Sequence, residues 1–255
     1  MKTKNLLIKL SKSFPKRFAK MNHDYVGLMT GTLKEETNKI LLCLDFDDVV
    51  LDTAIKEKPD LILTHHPFFF GPKNKILKYD EYKRNLNEEV LKNDLVIYSM
   101  HTNFDTGRGG MNDALSEKLL LKDVYAPEKD ICMRIGTLEN EMDVEKFAKF
   151  AKERLNISYG LLINEGPKVV RKVGIIGGGG SRSYKIAKEE GCDIYISGDA
   201  PHHVRRDIVL DHYNYLDLPH EIEKIFMEQM KKILLNIDPN LEIVIVDHEI
   251  EPKVI

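Results

Sequence analysis

The sequence predicts an α/β fold whose strands pair largely in parallel and whose sheet is covered on both faces. Two observations predict it. Short runs rich in Ile, Leu, Val and Tyr recur along the 255 residues, each of strand length and most too continuous to leave one face in water. Between them lie stretches in which charged and apolar residues alternate at helical spacing, the order expected of strand–helix–strand units with parallel pairing.

Taken along the chain, MKTKNLLIKLSKSFPKRFAK reads as an amphipathic helix stopped near Pro15. Strands are expected at 40–46, 61–64 and 95–100, with helices at 48–58, 81–92 and 112–120. The polar turn APEKD near 126–130 marks the weakest joint, so the expected division is a first lobe at 1–126 and a second at 127–255. The second opens on the strand-like ICMRIGTL and continues with helices at 144–155 and 183–190 and strands at 172–177 and 193–197. A helix at 219–235, tolerating Pro219 in its first turn, and a strand at 242–246 complete it. The strand–helix–strand order of 40–64 recurs at 172–197, although the residues themselves do not align.

Composition narrows the function classes. Hydrophobic residues make up 42% and charged residues 31%, ordinary for a folded chain. A net charge of −3 gives no global field for nucleic acid or an anionic membrane, so any phosphate-binding surface must be local. No apolar run approaches the ~20 residues of a membrane-spanning helix, and the basic start has too short an apolar stretch for a signal peptide. Cys43, Cys132 and Cys192 stand far apart without CxxC spacing, which excludes a cysteine zinc site and points to inert thiols in a reducing cytoplasm.

The chemistry gathers where strands end, the edge at which α/β sheets bind ligands. LILT runs into His65, His66 and Pro67; the proline forces an irregular path that can turn both imidazoles into one cavity. Two histidines beside an aspartate suit Zn, Mn, Fe, Co or Ni better than Ca. VIYSM runs into HTNFDTGRGGMND, where Asp105 can supply an anionic oxygen and His101 reads as a metal ligand, a proton carrier or the group that orients Asp105. Asn112 or Asp113 is expected to cap the following helix.

Two later clusters add candidates. In LDLPHEIEK, His220 and Glu223 fall one turn apart on one helical face. Glu221 and Glu223 also suit a helix first turn simply by complementing its dipole. The four glycines at 177–180 with Ser181 follow a strand, either as a cradle for a substrate group, with Gly178, Gly179 and Ser181 forming a pocket wall, or as a bare tight turn. They match neither a P-loop nor a dinucleotide fingerprint. Gly198 and Asp199 followed by His202 and His203 form a rival cluster, but the histidine pair opens a helix-like stretch with Arg205 and Arg206, where exposure is the default.

In this order the segments PDLILTHHPFFF, IYSMHTNFDTGRGGMNDALSEKL, VGIIGGGGS, DIYISGDAPHH and LDLPHEIEK resemble the Nif-three-like family, whose members are often labelled GTP cyclohydrolase type-two homologues. The resemblance implies two similar interlocked α/β lobes, a dinuclear metal site in the cleft between them, and a ring-like homohexamer. It places the family's paired histidine ligands on His65 and His66, its aspartate on Asp105 and its late histidine on His220. The family's closing glutamate stands four residues after that histidine, where this chain has Lys224. Glu223 is the nearest carboxylate on the same face and the expected bridging ligand, with Glu221 as the alternative.

Such a ligand set, holding a pair of divalent ions (Zn, Fe, Mn, Co or Ni), makes water activation and hydrolysis the natural chemistry. The expectation is therefore a metal-dependent hydrolase acting on a nucleotide or related small molecule, with His101 as catalytic acid or base. The alternatives are a metal-stabilised ring that binds single- or double-stranded DNA or a protein partner, nucleic acid being disfavoured by the charge, and a metal storage or delivery protein.

Overall fold

Strands β1 (Gly27–Thr30), β2 (Lys39–Cys43), β3 (Leu61–Thr64) and β4 (Ile97–Ser99) open the fold in a computed structural model that describes residues 1–21, 23–253 and 255. The chain divides into two units, Met1–Gly110 with Phe226–Glu249, and Met111–Ile225 with Ile250–Ile255.

In the first unit β2, β3 and β4 pair in parallel, and β1 lies antiparallel on β4 with Gly27 opposite Ser99. Ile40, Leu41, Leu42 and Cys43, and Leu61, Ile62 and Leu63, are all fully buried. Neighbouring residues point to opposite faces, so the sheet is covered on both sides, as the uninterrupted apolar runs require. Helix Asp48–Glu57 starts where Asp47 caps it by accepting from the Val50 amide at 3.1 Å, and stops at Lys58, whose φ of 50° is left-handed. Helix Glu81–Lys92 lays Leu86 and Val90 against a core that includes Phe68, Phe69 and Ile97. The predicted opening helix is present as Thr3–Ser13, burying Leu6 and Leu10.

The second unit contains β5 (Lys122–Tyr125), β6 (Arg134–Asp143), β7 (Leu161–Asn164), β8 (Val169–Ile175), β9 (Ile194–Ser197) and β10 (Asn214–Asp217), in the order β5-β6-β8-β9-β10-β7. Strands β8, β9 and β10 are parallel, whereas β5, β6 and β7 join antiparallel. The crossover from β8 through helix Tyr184–Glu189 to β9 has the same order as that from β2 through Asp48–Glu57 to β3, which accounts for the recurrence in the sequence. Tyr195 and Tyr215 are fully buried among Met133, Ile135, Val204 and Ile208.

Two local expectations are corrected. The stretch 219–235 is not one α-helix: after β10 the chain forms a 3₁₀ turn, His220–Lys224, and only then the helix Ile225–Ile237. Asn112 and Asp113 do not cap a helix, because that helix begins at Met111 and holds both inside it. Asn112 Oδ1 instead accepts from the Gly177 amide at 2.7 Å, and Asp113 forms a fork with Arg134, Nε to Oδ1 at 2.8 Å and Nη2 to Oδ2 at 3.0 Å.

The last strand, β11 (Glu242–Ile245), returns to the first unit and pairs in parallel with β2. There Lys39 Nζ sits 2.7 Å from Glu242 and 3.2 Å from Glu57. Among the described residues no helix is long and apolar enough to cross a membrane. Among the described residues no cysteine forms a disulfide; Cys43 and Cys192 are buried and Cys132 half-buried. Burial pushes the Cys192 thiol up to about 12, which keeps it protonated and unreactive at neutral pH.

Candidate functional site

In the first unit, the ends of β3 and β4 bring His65, His66 and His101 together, and one ring nitrogen from each lies within 4.8 Å of the others. The local chain makes this possible. His65 and His66 continue the ladder through their amides, donating to the Cys43 and Leu44 carbonyls at 3.2 and 3.0 Å. Thr64 Oγ1 then donates to the His66 carbonyl at 2.7 Å, turning the backbone just before Pro67. The rings meet edge-on or tilted, with centroids 5.0 to 5.5 Å apart. His101 precedes the short helix Thr102–Thr106, whose Asp105 presents Oδ1 3.5 Å from His65 Nε2.

Each of these imidazoles is held by its other nitrogen. His65 Nδ1 lies 3.0 Å from the Met100 carbonyl, which can only accept, so this nitrogen carries the proton. His66 Nδ1 donates to Asp45 at 2.7 Å, and His101 Nδ1 donates to Asp24 at 2.7 Å. The lone pair is thereby left on Nε2 of each ring. A ligating histidine almost always has its second nitrogen tied to a carboxylate or carbonyl in this way, so the donor set fits a divalent transition ion.

In the second unit, His220 and Glu223 form a corresponding pair, Nε2 to Oε2 at 2.9 Å, while His220 Nδ1 is bonded to Asp199 at 2.5 Å. The 3₁₀ winding explains why a spacing of three serves here: with three residues per turn, positions i and i+3 eclipse. The Glu223 carboxylate is buried, and its hydrogen bond, with Asp199 behind the ring, holds the imidazolium well above its ordinary range, at about 9. Gly178 makes this possible: at φ 64° it leaves room for the Glu223 carboxylate, into which any Cβ would collide. Gly179 lies near Asp199, and Ser181 is buried at the start of a 3₁₀ turn. Glu221 makes no ion pair with His220 among the described residues, and His202 and His203 are exposed on a helix.

Asp24, Asp45 and Asp199 are the groups that sequence reasoning overlooked or set aside. Asp45 was findable, because it stands two residues beyond β2 and strand ends carry the chemistry. Asp24 precedes a strand, so the same rule passes over it. Yet β1 runs antiparallel to β4, which brings the residues before β1 beside those after β4. Burial works against the Asp24 carboxylate, but hydrogen bonds from His101 and Thr102 and the charge of His101 outweigh it and hold the group down at about 2. The associated stability is fully present above the unfolded value near ~3.9 and is lost as pH falls toward about 2. Acid unfolding followed by circular dichroism should therefore show wild type losing more stability than Asp24→Asn across that window; coincident acid profiles would refute the coupling.

Relatives match the chain over most of their length. The chain is 31% identical over 237 residues to a Clostridium perfringens protein named GTP cyclohydrolase 1 type 2 homolog, covering 89% of each. A Bacillus subtilis protein of the same name is 25% identical over 340 aligned positions, covering 89% of this chain and 91% of the relative. Among solved structures, a Bacillus cereus protein related to NIF3 superposes with a TM-score of 0.87 at 22% identity, covering 100% of this chain and 99% of the other. Reduced HcgD from Methanocaldococcus jannaschii gives 0.81 at 26% identity, covering 97% and 98%. The family model Duf34/NIF3 (NGG1p interacting factor 3) matches residues 1–252, and the chain belongs to that family.

Proposed function

We propose that the protein is a metal-dependent hydrolase acting on a nucleotide or related small molecule, with His65, His66, Asp105, His220 and Glu223 as ligands of a dinuclear divalent centre. The observation that carries this reading is the anchoring of each candidate imidazole through Nδ1, by Met100, Asp45 or Asp199. A carboxylate-rich histidine set of this kind suits Zn, Fe, Mn, Co or Ni. The ions would supply a water acidified from 15.7 toward about 7 and a Lewis-acid contact for a substrate oxygen. His101, fixed by Asp24, offers Nε2 as proton acceptor and then donor. The relatives' name, GTP cyclohydrolase 1 type 2 homolog, is in keeping with a hydrolytic reaction class.

Protein purified from cells without chelator should contain transition metal by elemental mass spectrometry, and the His65→Ala, His66→Ala double variant should contain little. Undiminished metal in the double variant would sink the reading. Turnover of a nucleotide and phosphoester panel should require metal and disappear in Asp105→Ala. Cytoplasmic location and assembly into a homohexamer belong to the same proposal, and light scattering tests the assembly.

A further inference from the structure

The first unit has a cavity of about 360 Å³ that the metal ligands do not use. Lys16, Lys20 and Lys73 line it, against a single carboxylate, Asp24. That carboxylate is already engaged, accepting from His101 Nδ1 and from Thr102 Oγ1 at 2.6 Å. None of the three lysines forms an ion pair among the described residues, so the lining carries excess positive charge without an internal counterion.

Two of the amines are placed rather than merely present. Lys73 Nζ donates to Thr30 Oγ1 at 2.9 Å and lies 5.3 Å from the centre of the Phe69 ring. Lys16 Nζ lies 5.6 Å from the centre of the Tyr98 ring and runs over Gly27, where a Cβ would collide with it. Gly27, at φ 105°, thus leaves the space the amine fills. The rest of the wall is apolar: Phe69, Met29 and Pro72, with Tyr25 and Leu28 left 42% and 46% exposed. A cationic rim over aromatic and aliphatic walls recognises an anion attached to a flat apolar body.

We propose that this cavity binds a phosphorylated small molecule carrying a planar ring, its phosphate among Lys16, Lys20 and Lys73 and its ring against Tyr25 and Leu28. Its size falls at the lower end of the ~300–1,000 Å³ usual for small-molecule sites, room for a mononucleotide rather than a polymer. Asp24 joins the cavity to His101, so the ligand sits one hydrogen-bonded carboxylate from the imidazoles. Reading that ligand as the hydrolase substrate rests on the proposed metal centre; binding itself does not.

The experiment is calorimetric titration of chelator-treated, full-length protein at low salt with AMP, GMP, adenosine and inorganic phosphate. At least one nucleoside monophosphate should saturate below about 1 mM, weaken as salt is raised, and bind about tenfold more tightly than adenosine. Lys16→Ala and Lys73→Ala should each weaken it about tenfold, the usual size of a charge-assisted contact. Tyr25→Ala should weaken the monophosphate about fivefold while leaving inorganic phosphate unchanged. Equal affinity for adenosine, no saturation by either monophosphate, or wild-type affinity in lysine variants of unchanged melting temperature would overturn the proposal. Because no metal is present in the assay, such a result leaves the hydrolase reading standing, and failure of the metal analysis leaves this site standing.

Discussion

Gly178→Ala should destabilise the protein by about 3 kcal/mol in urea denaturation. A left-handed residue other than glycine costs roughly 1–2 kcal/mol, and the new methyl group must also displace the buried Glu223 carboxylate, an overpacking cost of about 1–3 kcal/mol. The Gly178 carbonyl, which accepts from the amides of Gly180 at 2.9 Å and Gly198 at 2.6 Å, prevents the loop from simply moving aside. A double-mutant cycle separates the two parts. In a Glu223→Ala background the same substitution should cost only the backbone share, and equal costs in both backgrounds would show that Gly178 is not kept clear for Glu223.

Asp113→Ala should cost about 3 kcal/mol, the lower end of the range for leaving a buried charge without its partner, here the buried guanidinium of an ion pair whose carboxylate is half-buried. Arg134 is 4% exposed and donates to Asp113 through Nε and Nη2. Its Nη1 is shared among the carbonyls of Ile131, Cys132 and Met133 at 2.9 to 3.2 Å. Removing the carboxylate takes from the buried guanidinium the anion that both Nε and Nη2 donate to. Replacing both, as Asp113→Ala with Arg134→Met, should recover part of the loss, since an apolar side chain of similar length has no charge to desolvate. A single variant as stable as wild type would show that the carbonyls alone satisfy the arginine.

What could be read in advance follows from burial. Strands β2, β3 and β9 were legible because every residue but Lys39 is buried and the runs are uninterrupted. Strands β5 and β7, exposed or half-exposed throughout, carry no apolar period to detect. Strand β10 is absent from the expected strands because Asn214 and Asp217 bracket only two apolar residues and a proline follows, which imitates the start of a helix. At the site, the histidines and Asp105 announced themselves at strand ends. The carboxylates that hold the rings did not, since His101 and Asp24 are 77 residues apart in sequence and their meeting depends on the direction of β1.

The return of β11 to β2 sets a timetable for synthesis. In the first sheet β2 has β3 on one side and β11 on the other, so once Cys43 has left the ribosome its outer edge has no partner until Glu242–Ile245 follows. At ~5–20 residues per second that interval lasts about 10–40 s. Throughout it the nascent chain displays a bare strand edge, apolar from Ile40 to Cys43, the geometry most prone to pairing with another chain. The Met111–Ile225 part of the second unit is made within that window. Deleting β11 should therefore drive newly made chains into aggregates rather than merely lower the melting temperature, and solubility after pulsed expression measures the difference.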